Sequence, residues 1–238
     1  MLTLSQYRDI NALTEGGVFD KMIHTISVVR SLDEYEVQNW DSTKIVDEYK
    51  RIEPHTQVSE RYSNKIAIQD IELTLINFEA LTLGQWIDLE AFVSENYIGN
   101  LHLISSIIYL RHSGGGLYSD EWEKYGNVNI HNRAELVDQL PAKDVLGACA
   151  KYLKFRKNLF ESYELFNDPH EDVDPDELDS EELEIYKKEK AEREKGASNQ
   201  WEKMLNLLSN NDITKFDSVL NQNLFMSLNQ VSYLKRNS

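Results

Sequence analysis

A chain of 238 residues with 41 acidic and 25 basic side chains carries a formal charge of -16. That balance works against a duplex-binding surface, because phosphate contacts need clustered Lys and Arg. The length suits one main core with at most a small appendage. The single cysteine, Cys149, cannot form an internal disulfide and fits a reducing cytoplasm. No basic start followed by an apolar core opens the chain, and the longest apolar stretch, residues 97–110, is broken by Gly99, Asn100, His102, Ser105 and Ser106. Spanning a bilayer takes about 20 apolar residues, so a soluble chain without an export signal and without membrane contact is expected.

The first elements read as helices over residues 4–13 and 19–30, separated by Gly16 and Gly17. Phe19, Met22, Ile23, Ile26 and Val29 recur at three- and four-residue steps and define a core face. Ser31 with Glu34 has the spacing of a capping box, and Asp41 or Ser42 caps a further helix through Ile45, Val46, Tyr49 and Ile52 that Pro54 ends. In residues 65–77 apolar, mostly β-branched residues then sit at every second position, the pattern of a half-buried hairpin. From Thr82 the period changes. Thr82 and Gln85 suit another capping box, and Trp86, Leu89, Phe92 and Val93 follow at helical spacing. Two helices are expected here, over 82–94 and 96–111.

Ser113-Gly-Gly-Gly116 begins a long polar connection to Arg133 that contains Tyr118, Trp122 and Tyr125. Loops of that length are often functional, and these rings either pack back on the domain or anchor a partner. Pro141 sits at the first turn of a helix reaching about Phe166, with Val145, Leu146, Cys149, Tyr152, Leu153 and Phe160 in one stripe. Lys151, Lys154, Arg156 and Lys157 lie between them as the one strongly basic patch, suited to an acidic surface. Residues 168–184 hold ten acids and no Lys or Arg, a run that repels itself, and residues 184–195 carry mixed charge. A C-terminal helical hairpin follows, with Trp201, Leu205 and Leu208 on one face, Asp212 as a cap, and Phe216, Val219, Leu220, Leu224, Leu228 and Val231 continuing it. No internal repeat at a fixed period is expected. The expected fold is mostly α: a multi-helix domain (1–167) with one inserted β-hairpin, an acidic and charged linker (168–199), and a C-terminal helical hairpin (200–238) packing on the main domain.

Candidate chemistry is thin. Asp172, Asp174 and Asp176 occupy the first, third and fifth places of a calcium loop, but Glu177 stands where glycine makes the turn and Leu183 where a bidentate glutamate is needed. The six histidines (His24, His55, His102, His112, His131 and His170) form no close metal pair, and His102 reads as a buried, hydrogen-bonded side chain. Gly114-Gly-Gly116 lacks the Lys-Ser or Lys-Thr of a phosphate loop. No serine sits in a nucleophile elbow, and Cys149 has no histidine nearby in sequence. Asp88 and Glu90 suit a solvated face of an amphipathic helix or a cap. The expectation is a chain without catalytic residues, cofactor or metal.

Four places carry a resemblance: Ile26-Ser-Val-Val29 before Ser31-Leu-Asp-Glu34; the hairpin with residues 81–90; the helix over 100–111; and Trp201-Glu-Lys-Met-Leu205 with Asp212-Ile-Thr-Lys215. Each is short and apolar, and their order and spacing carry the weight. In that order the chain resembles tail-assembly chaperones and tail- or connector-associated virion proteins of tailed bacteriophages, crAss-like phages among them. The resemblance implies a non-enzymatic structural or assembly protein that works by protein–protein contacts at the head–tail connector or tail. It implies other phage structural proteins as partners, a homo-oligomer or ring, and a place in the virion after assembly in the host cytoplasm. A chaperone absent from the finished virion is the alternative, and the charge alone would also suit an acidic DNA mimic that inhibits a host protein. Trp86, Tyr109, Tyr118, Trp122, Tyr125 and Trp201 are the expected partner anchors.

Overall fold

The computed structural model describes residues 2–13, 15–55, 61–68, 71–111, 130–163 and 201–236. The chain divides into two units, one of Met1–Ile76 and Phe92–Leu153, the other of Asn77–Ala91 and Lys154–Ser238. This division differs from the expected one: residues 77–91 and 154–163 belong with the C-terminal helices. The acidic and charged linker lies outside the described residues.

In the first unit, Thr3 caps α1 (Leu4–Ala12) in a reciprocal box with Gln6. Helix α2 (Val18–Arg30) buries Ile23 and Ile26, and its stripe meets Val37 of α3 (Glu34–Gln38) and Ile45 and Ile52 of α4 (Ser42–Ile52) in one apolar cluster. Phe19, expected on that core face, is 42% exposed because it lies in the first turn of α2. The expected Ser31–Glu34 box does not form. Ser31 takes the left-handed conformation (φ 53°) that closes α2, and Asp33 caps α3 by accepting from the Tyr35 N–H. Asp41 caps α4 as expected. Arg30 donates to Glu48 across α2 and α4, and with Arg51 holds that carboxyl below the usual carboxylate range.

The hairpin is β1 (Lys65–Ile68) against β2 (Ile71–Leu75), paired Ile66 to Leu73 and Lys65 to Thr74, with Ile66, Ile68, Leu73 and Leu75 turned inward. It gains a third strand. Helix α6 (Leu101–Ile108) stops before the expected Arg111, and β3 (Tyr109–Arg111) pairs antiparallel with β2, Leu75 opposite Tyr109. The chain leaves the helix because two needs are met in the extended form: the free edge of β2 is covered, and Arg133 Nη1 takes the Ser106 and Tyr109 carbonyls at 3.1 Å each. Arg133 lies on α7 (Ile130–Val137). Pro141 precedes α8 (Ala142–Ser162), which contributes to both units, as does α5 (Leu83–Asn96).

The second unit is built around aromatic rings. Trp86 is wholly buried, with the rings of Phe155, Phe160 and Trp201 at 6.4, 5.9 and 6.1 Å. Phe155 also meets Phe78 at 5.4 Å and Phe225 at 6.1 Å. The C-terminal part is helical over 201–209, then Phe216–Leu220 and Leu224–Arg236. Asp212 caps the short 3-10 turn Ile213–Lys215. The fold is mostly α with one small antiparallel three-stranded sheet inserted.

Candidate functional site

The expected partner anchors separate by burial. Trp86 and Tyr109 have no exposed surface. They are core side chains here, Trp86 among its rings and Tyr109 with its hydroxyl donating to the Ser63 carbonyl at 2.6 Å, so neither presents area to a partner. Trp201 is half-buried against Trp86. Tyr118, Trp122 and Tyr125 lie outside the described residues. Among the described residues the large apolar side chains that face solvent are others: Val18, Phe19, Tyr35 and Tyr62 in the first unit, and Leu207, Ile213, Met226 and Tyr233 in the second. Met226 and Tyr233 lie seven residues apart on Leu224–Arg236, hence on one helical face.

The basic patch is largely engaged within the chain. Arg156 grips Glu90 through two parallel bonds, Nε to Oε1 at 2.7 Å and Nη2 to Oε2 at 2.9 Å, and lies over the Phe160 ring. Glu90 is buried, not solvated as expected, and it is the fork geometry of Arg156 that makes its burial tolerable. Lys151 lies over the Tyr62 ring and Lys157 faces Glu161 one turn on. Cys149, on the apolar stripe of α8, is buried, and burial pushes its thiol up to about 12, the reverse of a reactive cysteine. His102 is half-buried; burial first, then the Arg8 charge, lowers its pKa. Arg8 pairs with Asp138 at 2.6 Å nearby in the same unit. Among the described residues no group of three or more His, Cys, Asp or Glu could hold a metal, and no helix is long and apolar enough to cross a membrane. The Asp172–Asp176 segment lies outside them.

The main feature that the sequence reading missed is a duplication. Leu2-Thr3-Leu4-x-Gln6-Tyr7-x-Asp9-Ile10 reappears as Leu81-Thr82-Leu83-x-Gln85-Trp86-x-Asp88-Leu89, and Ile23-His24-x-Ile26-Ser27 reappears as Leu101-His102-x-Ile104-Ser105. The first pair of segments is separated by one residue more than the second, which hides the repeat from a search at one fixed period. The first segment starts a helix in the same way in both copies. Thr82 and Gln85 form the same reciprocal cap as Thr3 and Gln6, with bonds of 2.9 and 3.2 Å. Each helix start is also clasped by a second helix start. Leu4 N–H donates to the Leu140 carbonyl while Ala142 N–H donates to Leu2; Leu83 N–H donates to Gln222 while Leu224 N–H donates to Leu81; all four lie at 2.8 to 2.9 Å. These bonds satisfy amide groups that a helix N-terminus otherwise leaves to water.

Comparison of the chain with known protein families, with curated proteins and with solved structures finds no match.

Proposed function

We propose that the chain is a non-enzymatic structural or assembly protein of a tailed bacteriophage that acts through protein–protein contacts at the head–tail connector or tail. The observation that carries the reading is the ordered set of four short segments that resembles such proteins. The solvent-facing Met226 and Tyr233, on one helical face with 70% and 68% exposure, support it by offering apolar area of the kind a subunit contact uses. Partners are then other phage structural proteins, and the copies form a homo-oligomer or ring.

Mass spectrometry of purified phage particles from producing cells tests this. Peptides of the chain at stoichiometric amounts, in multiples of a ring symmetry, are the expected result. Absence from particles with abundance in infected cells would replace it by the tail-assembly chaperone. A salt-sensitive complex with a host DNA-binding protein would replace it by the acidic decoy, for which the -16 charge is the only support.

A further inference from the structure

The two histidines of the duplication stand at the same place in their copies and meet different surroundings. His24, on α2, bridges two other helices. Its Nδ1 lies 2.6 Å from Glu34 Oε1 at the start of α3, and its Nε2 lies 3.0 Å from the Asp9 carbonyl oxygen on α1. A backbone carbonyl only accepts, and so does an ionised carboxylate. Both ring nitrogens must therefore carry hydrogen for both contacts to be hydrogen bonds, and only the imidazolium has two N–H groups.

We propose that His24 is a proton-operated latch on α3, closed while the imidazolium donates to Asp9 and Glu34 together and opened when the ring loses its proton. A neutral ring keeps one N–H. The Asp9 carbonyl is fixed in α1, whereas the Glu34 side chain is half exposed and free to turn to water. The neutral ring therefore keeps Asp9 and points a lone pair at the carboxylate, which moves away. What is loosened is a five-residue helix otherwise tied by the buried Val37, by Leu32 and Trp40 packing on the same cluster, by its Asp33 cap and by the Leu32 N–H bond to the Ser27 carbonyl. That helix carries Tyr35, 73% exposed, so the proton governs how firmly an apolar surface group is held.

The charges around the ring point the same way. Asp9 faces it from α1 and Glu34 from α3. On α2 itself Lys21 and Asp20 lie one turn earlier, Asp20 turned to the Gly17 N–H, and on α4 Glu48 is taken by Arg30 and Arg51. Burial alone would lower the pKa of His24; the bonds to Asp9 and Glu34 and the charge of both carboxylates outweigh it and raise the value. The folded state thus binds the proton more tightly than the unfolded one. The latch is fully closed below about 6.5, the ordinary histidine value, and opens as pH rises through the raised value. His102 has the opposite sign and serves as an internal reference: its protonation disfavours the fold as pH falls below 6.5.

The test is an NMR titration of both imidazoles in the full chain, with hydrogen exchange of the α3 amides read between about pH 5.5 and 8.5. His24 is expected to titrate above, and His102 below, the ordinary value. Protection of α3, corrected for intrinsic exchange, is expected to fall severalfold as His24 deprotonates. In Glu34→Gln, which alters a half-exposed side chain and leaves the core intact, the His24 midpoint should drop and α3 protection should lose its pH dependence. A His24 midpoint at or below that of an unstructured histidine, or one that Glu34→Gln leaves in place, overturns the latch. So does α3 protection that stays level while His24 titrates.

Discussion

Ser27 and Ser105 occupy one position in the two copies and lead opposite lives. Ser105 donates to the Leu101 carbonyl at 2.6 Å and touches Cys149 Sγ at 3.3 Å, whereas buried Ser27 Oγ has no partner among the described residues. A buried hydroxyl without a partner costs stability, and alanine is the better helix former. Ser27→Ala is therefore expected to stabilise by up to about 1 kcal/mol and Ser105→Ala to cost about 1 kcal/mol, read from denaturant midpoints at unchanged slope. Trp86→Ala removes a wholly buried ring from the cluster with Phe155, Phe160 and Trp201 and is expected to cost about 3 to 5 kcal/mol. Arg156→Ala leaves the buried Glu90 without its forked partner, at a cost of about 3 kcal/mol, and a paired Glu90→Leu, Arg156→Met change should recover most of it. If the single change costs as little as a surface pair does, the Glu90 carboxylate reaches water more easily than its burial implies.

Caps and clasps decide where the helices start. Thr3→Ala and Thr82→Ala each remove one side of a reciprocal cap and are expected to lower stability by about 1 kcal/mol apiece, seen as matched shifts in thermal unfolding. A much larger effect at either site would show that the backbone clasp beside it depends on the threonine. At this scale the sequence is most readable where the signal is local. The Thr82–Gln85 box, the Asp41 cap, the helical stripe of Ile23 and Ile26, and the alternation in 65–76 all depend on neighbours within four residues. Misses arise where a distant group decides. Residues 109–111 continue an apolar helical pattern, yet Arg133 and the edge of β2 draw them into a strand. The Ser31–Glu34 spacing is that of a box, yet closing α2 requires Ser31 in the left-handed region, and Asp33 takes over the cap. Glu90 looks like a solvated helix residue until Arg156, distant in sequence, reaches it.

At the scale of the molecule, the mostly helical class with one inserted β element was legible from periodicity alone, because long amphipathic patterns and a short alternating one need no partner to be recognised. The site was less so. Tyr109 and Trp86 have the composition of interface anchors, and nothing in their neighbours separates an aromatic ring that ends in a core from one that ends on a surface. Exposure falls instead on Met226, Tyr233 and Ile213, which composition does not distinguish.

Each unit is assembled from two separated stretches of chain, and the order of synthesis gives that a temporal side. By the time residue 153 has left the ribosome, every part of the first unit exists. Residues 77–91, by contrast, emerge early and wait for 201–236. At roughly 5 to 20 residues per second, Trp86 spends on the order of 10 s without Trp201. Until Phe155 and Phe160 emerge, the half-helix bearing Leu83, Trp86 and Leu89 is an unmatched apolar segment on a nascent chain, open to holdase chaperones or to a neighbouring copy on the same messenger, and it is only partly matched until Trp201 follows. Synthesis interrupted before Trp201 would leave the first unit whole and the second permanently unfinished.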